Sequence, residues 1–309
     1  MEMAKITYHP THPWLALIDI GDAVPGMEGF FCSYVLQRKR IALLDVGPTC
    51  CLPLVMGGLD ALGVRPEEVA YLLTSHIHVD HAGGLGPATK LLPNATVIVH
   101  PSGIPHLESP WKLWEATVKT VGDLAEIYGK PEPVDPERMN AAQDNMKVDL
   151  GDAELQVFMT PGHAPHHISF FDGEASVLLA GELCGVRARG VRRPATPPPL
   201  YLDKQTESME RASQLHAATL CHAHYGWQSG ADALLSSHLE QLLAWKDTVA
   251  RGLKEGRSVD QIARELLETD PLLAGLPNLT PMQQKREIYF TKNAVAGLAG
   301  YIERGRPLP

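Results

Sequence analysis

Four side chains able to bind a metal ion fall within six positions: His76, His78, Asp80 and His81, in the run Thr74-Ser75-His76-Ile77-His78-Val79-Asp80-His81-Ala82-Gly83-Gly84. The apolar stretch Val69 to Leu73 leads straight into them. A short apolar run bounded by turn residues reads as a buried strand. Residues two apart in an extended chain point to the same face, so His76 and His78 reach one metal together. Asp80 and His81 follow where the chain leaves the strand, and they turn toward a neighbouring ion. Imidazole suits zinc or iron, and the carboxylate compensates charge.

This segment resembles the His-x-His-x-Asp-His signature of the metallo-β-lactamase superfamily. The resemblance continues down the chain, because that family takes its remaining ligands from distant loops. Val157-Phe158-Met159-Thr160-Pro161-Gly162-His163 ends a strand on a histidine, and Val177-Leu178-Leu179-Ala180-Gly181-Glu182 ends one on a carboxylate. Ala218-Thr219-Leu220-Cys221-His222-Ala223-His224-Tyr225-Gly226 offers the last histidine. The order and context match between residues 14 and 230. Glu182 stands where the family normally has aspartate.

The resemblance implies a four-layer αββα sandwich; periodicity alone gives α/β. It also implies that His76, His78 and His163 hold one metal and that Asp80, His81 and His224 hold a second, with Glu182 bridging or leaning to one side. His224 is preferred because the family places this ligand just before a glycine-containing turn, supplied here by Tyr225-Gly226. Strand alternation through Leu220 puts His222 on the same face, so both histidines stay open. Asp45 matches a family position at the end of an early strand. Metal-bound histidines donate their other ring N–H to a carboxylate or carbonyl, which makes Asp45 the candidate partner. Glu182 is one methylene longer than aspartate, so the second metal is expected to be held more loosely. His166 and His167, beside His163, are read as supporting or packing residues.

A glutamate in place of His78 would indicate the family's redox-active flavodiiron branch. His78 indicates the hydrolytic branch, or the mononuclear-iron persulfide dioxygenases that share these histidines. The primary expectation is a metal-dependent hydrolase of a small ester, thioester, lactone or amide. Two divalent ions, zinc first with iron or manganese as alternatives, would lower the pKa of a bridging water from 15.7 to about 7. The resulting hydroxide attacks the carbonyl carbon, with Asp80 orienting it and accepting its proton. The alternatives are an iron dioxygenase of a sulfur substrate and a non-catalytic metal-binding protein. The last is disfavoured by a nearly intact ligand set.

The elements that must position these residues are read next. Strands are expected at 14–18, 30–36, 41–44, 96–99, 155–158 and 168–171, with a helix over 53–62 and a hairpin turn at Asp172-Gly173. Between 101 and 147, Trp111, Trp114, Val118, Val121, Leu124 and Ile127 are spaced for one helical face. A helix packed on the body is the preferred reading and a substrate lid the alternative. His100 and His106 are placed on a loop, and His9, His12, His216 and His238 on the surface. Arg187, Arg189, Arg192 and Arg193 precede Pro197-Pro198-Pro199. They are read as an irregular surface loop or, through Arg192 and Arg193 together with Tyr225, as a site for an anionic substrate. Residues 1–230 form the expected catalytic domain. Residues 231–309 form a helical extension in which Leu234, Leu235, Leu239, Leu242, Leu243 and Val249 keep a 3.6 period. Ser258 and Gln261 suggest a capping box. The extension is expected to pack on the catalytic domain or to form a homodimer.

The chain has 309 residues, 44% of them hydrophobic, enough to bury a sizeable core. A net charge of -9 argues against general nucleic-acid binding. No apolar run reaches membrane-spanning length, and the sequence starts without a signal-peptide pattern. The five cysteines include no Cys-x-x-Cys. A soluble cytoplasmic protein acting on a small molecule is the simplest expectation.

Overall fold

Apolar runs separated by turn residues become strands β1 (Lys5–Tyr8), β2 (Leu15–Asp19), β3 (Cys32–Leu36) and β4 (Ile41–Leu44). Helix α1 (Leu52–Ala61) then returns the chain to β5 (Val69–Leu73). After β5 come α2 (Val79–Ala82), α3 (Leu85–Leu91) and β6 (Thr96–Val99), then α4 (Ile104–Glu108), α5 (Trp111–Val121), α6 (Leu124–Tyr128) and β7 (Met139–Ala141). These seven strands form one sheet in sequence order. The pairs from β1 to β4 are antiparallel, and those from β4 to β7 are parallel. Because β4, β5 and β6 run the same way, Asp45, Ser75 and His100 all leave the sheet at one edge. This computed structural model describes residues 5–305 and divides into two compact units. The first contains the described residues up to Met159 together with Ile168–Val177. It therefore also holds the antiparallel strands β8 (Lys147–Asp149), β9 (Glu154–Met159) and β10 (Ile168–Asp172).

The second unit contains Thr160–His167 and the chain from Leu178 onward. Its elements are β11 (Val177–Gly181), the hairpin β12 (Val186–Ala188) and β13 (Val191–Arg193), α7 (Leu202–Ser213), β14 (Thr219–His222) and β15 (Trp227–Ser229). Three helices complete it: α8 (Ala231–Lys254), α9 (Val259–Thr269) and α10 (Pro281–Arg304). The expected leucine stripe is real in part. Leu235, Leu242, Trp245 and Val249 are buried, while Leu243 is exposed. Asp270 accepts from Trp245 Nε1 at 2.6 Å and from Gln241 Nε2 at 2.7 Å, fixing the turn after α9. Ser258 and Thr280 both cap their helices in reciprocal boxes with Gln261 and Gln283. Among the described residues no helix is long and apolar enough to cross a membrane.

Four expectations change. The arginine-rich segment is not irregular where the arginines lie. Val186–Ala188 pairs with Val191–Arg193, and the proline run begins only after the hairpin. Helix α5 forms as its spacing predicts, yet none of its residues is buried, and Trp111 and Val118 are exposed. Periodicity specifies a helix but not a partner for its apolar face. His238 and His9 are buried rather than on the surface. His238 sits against Gly185, where an added Cβ would meet its ring at 2.4 Å.

Arg193, Arg286 and Glu287 are all buried, and both guanidiniums bond the one carboxylate at 2.7 Å. Burial opposes ionisation of Glu287, and the two arginines outweigh it, holding its pKa below the ordinary 4.5. Removing one partner of such a buried group costs about 3–5 kcal/mol. A depressed folded-state pKa stabilises above the unfolded value and loses that contribution as pH falls through the folded one. Glu287→Gln is therefore expected to unfold at markedly lower urea concentration at pH 7. Its deficit relative to the parent should shrink as pH drops below 4.5. An unchanged deficit at low pH would show that the loss is steric rather than electrostatic.

Candidate metal centre

In the first unit the candidate metal-binding residues are built outward from Asp45. The residue ends β4 with φ of 54°, a left-handed conformation that a short polar side chain tolerates. Its Oδ1 accepts from the Ser75 amide at 2.8 Å, and its Oδ2 accepts from Ser75 Oγ at 2.7 Å and faces His81 Nδ1 at 3.0 Å. All three residues are buried. A carboxylate on Nδ1 directs His81 Nε2 the other way, where Asp80 Oδ2 lies at 3.5 Å. Ser75 Oγ also meets His76 Nδ1 at 3.0 Å, so His76 Nε2 points away from it, to within 3.0 Å of His78 Nδ1. Two imidazole nitrogens that share one tetrahedral ion at about 2.0–2.1 Å stand about 3.3 Å apart. The backbone holds this loop from behind, with Val46 and Gly47 amides donating to the His81 carbonyl at 3.1 Å.

In the second unit, three further candidate residues meet at Glu182. This carboxylate follows β11, is 4% exposed, and spans two imidazoles. Its Oε2 lies 2.7 Å from His163 Nε2 and its Oε1 3.2 Å from His224 Nε2. Burial opposes ionisation of Glu182, but the facing His163 and His224 prevail and hold its pKa well below 4.5. The extra methylene of glutamate thus does not stop one side chain from reaching both histidines. The Glu182 amide donates to His167 Nε2 at 2.9 Å, and His167 Nδ1 meets Thr160 Oγ1 at 2.8 Å. His167 accordingly fixes the backbone at Glu182. His163 is oriented by the Ala195 carbonyl, 2.9 Å from its Nδ1. Gly162 is needed beside it, because a Cβ there would come within 2.4 Å of the Gln205 Cα.

The two C-terminal histidine candidates separate. The strand ends at His222, Tyr225 takes φ of 66°, and the chain turns before alternation could align His224 with His222. His224 faces Glu182, whereas His222 Nε2 meets Gln228 Oε1 at 3.1 Å. Burial and the charge of Arg187 push the His222 pKa down to about 3. The residues expected to meet an anion have hydrogen-bond partners within the same unit, at Tyr225 through the backbone and not the side chain. Arg193 bonds Glu287, Arg192 donates to Ser237 Oγ at 2.9 Å, and the Tyr225 carbonyl accepts from Arg187 at 3.2 Å. Sequence reading passed over Ser75 and Ala195. Ser75 adjoins His76 and was open to notice, but a backbone carbonyl leaves no mark in a sequence.

Comparisons with known proteins identify the family. Residues 29–224 match the Metallo-beta-lactamase superfamily, which is well over half of the chain. The metallo-beta-lactamase fold-containing protein ST1585 of Sulfurisphaera tokodaii is 30% identical over 208 residues, 66% of this chain and 77% of that protein. Its solved structure gives a TM-score of 0.72 at 24% identity, covering 92% of this chain and 97% of that one. The metallo-beta-lactamase family protein TTHA1429 of Thermus thermophilus gives 0.65 at 19% identity, covering 98% and 93%. The N-acyl homoserine lactonase AttM of Agrobacterium fabrum is 38% identical over 112 residues, 36% of this chain. The match spans only 39% of the lactonase's length. The chain belongs to the metallo-beta-lactamase superfamily and has its fold.

Asp45→Asn keeps the left-handed backbone but removes the charge that faces His81. Outer partners of metal-binding histidines are typically worth 10–100-fold in affinity. The variant is expected to lose zinc to a chromophoric chelator at a concentration about tenfold or more below that needed by the parent. Equal retention in the two proteins would show that Asp45 serves the loop and not the metal.

Proposed function

We propose that this chain is a metal-dependent hydrolase of a small ester, thioester, lactone or amide. In this reading His76, His78 and His163 with Glu182 hold one divalent ion, and Asp80, His81 and His224 hold the other. The observation that carries it is the way each set is prepared. His76 Nε2 and His78 Nδ1 converge at 3.0 Å, and the Glu182 carboxylate offers one oxygen toward each of two imidazoles. The donors are imidazole nitrogens and carboxylate oxygens, which fit zinc, iron or manganese, and zinc is our first choice. Similarity to lactonases over 112 residues supports water as the acceptor and a cyclic or linear ester as the substrate.

Bound divalent ions supply Lewis acidity and acidify water. The chain's own work is positioning and proton handling. Asp80 retains 25% side-chain exposure, so it can orient water and accept its proton, whereas His81 beside it is 3% exposed. Asp45 and the Ala195 carbonyl keep a proton on Nδ1 of His81 and His163, leaving each Nε2 as a lone-pair donor. Tyr225, half-buried and next to His224, is the side chain we assign to substrate. We assign the protein to a reducing compartment, as its five free thiols favour, and retain a homodimer as part of the proposal.

The test is a panel of esters, lactones and thioesters with the purified protein. Hydrolysis that disappears on chelation and returns with zinc or manganese is expected, and His76→Ala should lose at least one bound ion and most of the turnover. Iron-dependent oxygen uptake with a thiol substrate, without hydrolysis of any panel member, would overturn the assignment.

A further inference from the structure

We propose that the C-terminal helix α10 positions the metal-binding histidine His163, with Thr196 and Gly297 as the residues that transmit the constraint. The proposal rests on the metal reading given above. An imidazole that offers Nε2 to a cation must carry its proton on Nδ1 and donate it to a fixed acceptor. For His163 that acceptor is the Ala195 carbonyl, at 2.9 Å. Ala195 cannot fix its own place. It lies in the irregular segment between the end of β13 and the proline run, and its side chain is a single methyl.

What holds Ala195 is helix α10. On one side, Arg193 Nε bonds Glu287 Oε2 at 2.7 Å. On the other, Thr196 Oγ1 donates to the Ala294 carbonyl at 3.0 Å. The Thr196 carbonyl itself abuts Gly297, where an added Cβ would fall 1.8 Å from the oxygen. Glu287, Ala294 and Gly297 are seven and three residues apart, spacings that share one helix face. The segment is thus pinned two residues before and one residue after Ala195, and both pins lie on one helical stripe. Thr196 is 2% exposed and Glu287 fully buried, so water does not compete for either contact. Any shift of the 193–197 segment away from α10 carries the Ala195 carbonyl with it and frees the His163 ring to rotate.

The experiment uses the full-length protein loaded with cobalt(II), read by visible absorption. Gly297→Ala forces the 196 carbonyl off the helix. It is expected to weaken one cobalt site about tenfold, the lower end for an outer partner, and to alter its visible band while leaving the other site intact. Thr196→Val should act in the same direction, and it carries the test if Gly297→Ala does not fold. Thr196→Ser keeps the hydroxyl and should restore the parent affinity. Ala299→Gly, a buried change on the opposite side of the same helix, should lower the melting temperature with the parent's cobalt affinity. The proposal is overturned if Thr196→Val and Gly297→Ala bind cobalt like the parent, or if Ala299→Gly weakens cobalt equally. A parent protein that binds no cobalt would overturn the metal reading itself.

Discussion

Everything at this centre depends on one constraint: a buried imidazole can serve a cation through one nitrogen only if its other nitrogen is tied down. Free rotation or the wrong tautomer would present an N–H to the ion. Here each tie is of a different kind. His81 is held by a carboxylate, His76 by the Ser75 hydroxyl and His163 by a backbone carbonyl. Asp45 joins two of these ties, since it accepts from Ser75 and faces His81. One strand-end aspartate thereby sets the rotation of two ligand-type histidines, which explains why it is kept in a strained left-handed conformation.

The same logic extends to the acidic partner. Burial opposes the charge of Glu182, and the two imidazoles that face it hold its carboxyl well below the usual carboxylate range. Its amide is fixed in turn by His167, and His167 by Thr160. Polar networks of this sort are favourable when every member is satisfied and costly when one is missing. The buried arginines on Glu287 repeat the pattern away from the metal residues, where two cations share one anion.

How much of this could be read from the sequence follows from what leaves a periodic or compositional trace. The strand Val69–Leu73 ending in the histidine motif was legible, because an apolar run and a two-residue repeat both mark it. The ends of β11 and β14 were legible for the same reason, once the first motif had suggested where to look. The turn after His224 was legible at Tyr225-Gly226, but its effect on His222 was not: both turn residues take positive φ, and the chain leaves the strand before alternation can align the two histidines. The proline run led the arginine segment to be read as irregular, although the hairpin ends before it. Helix α5 shows the opposite failure: its spacing is amphipathic, but spacing cannot say whether an apolar face is covered. The Ala195 carbonyl was invisible because backbone acceptors have no sequence signature.

The central claim is that imidazoles and carboxylates, not thiols, hold the metal. X-ray absorption at the metal edge, on protein purified without added ions and quantified by elemental analysis, tests it most directly. The account predicts one to two divalent ions per chain with nitrogen and oxygen donors at about 2.0–2.2 Å and the multiple scattering of several imidazoles. The rival donors are thiols: Cys50 and Cys51 place their sulfurs 4.0 Å apart. A shell of sulfur at about 2.3 Å, or native protein carrying no metal, would contradict the account.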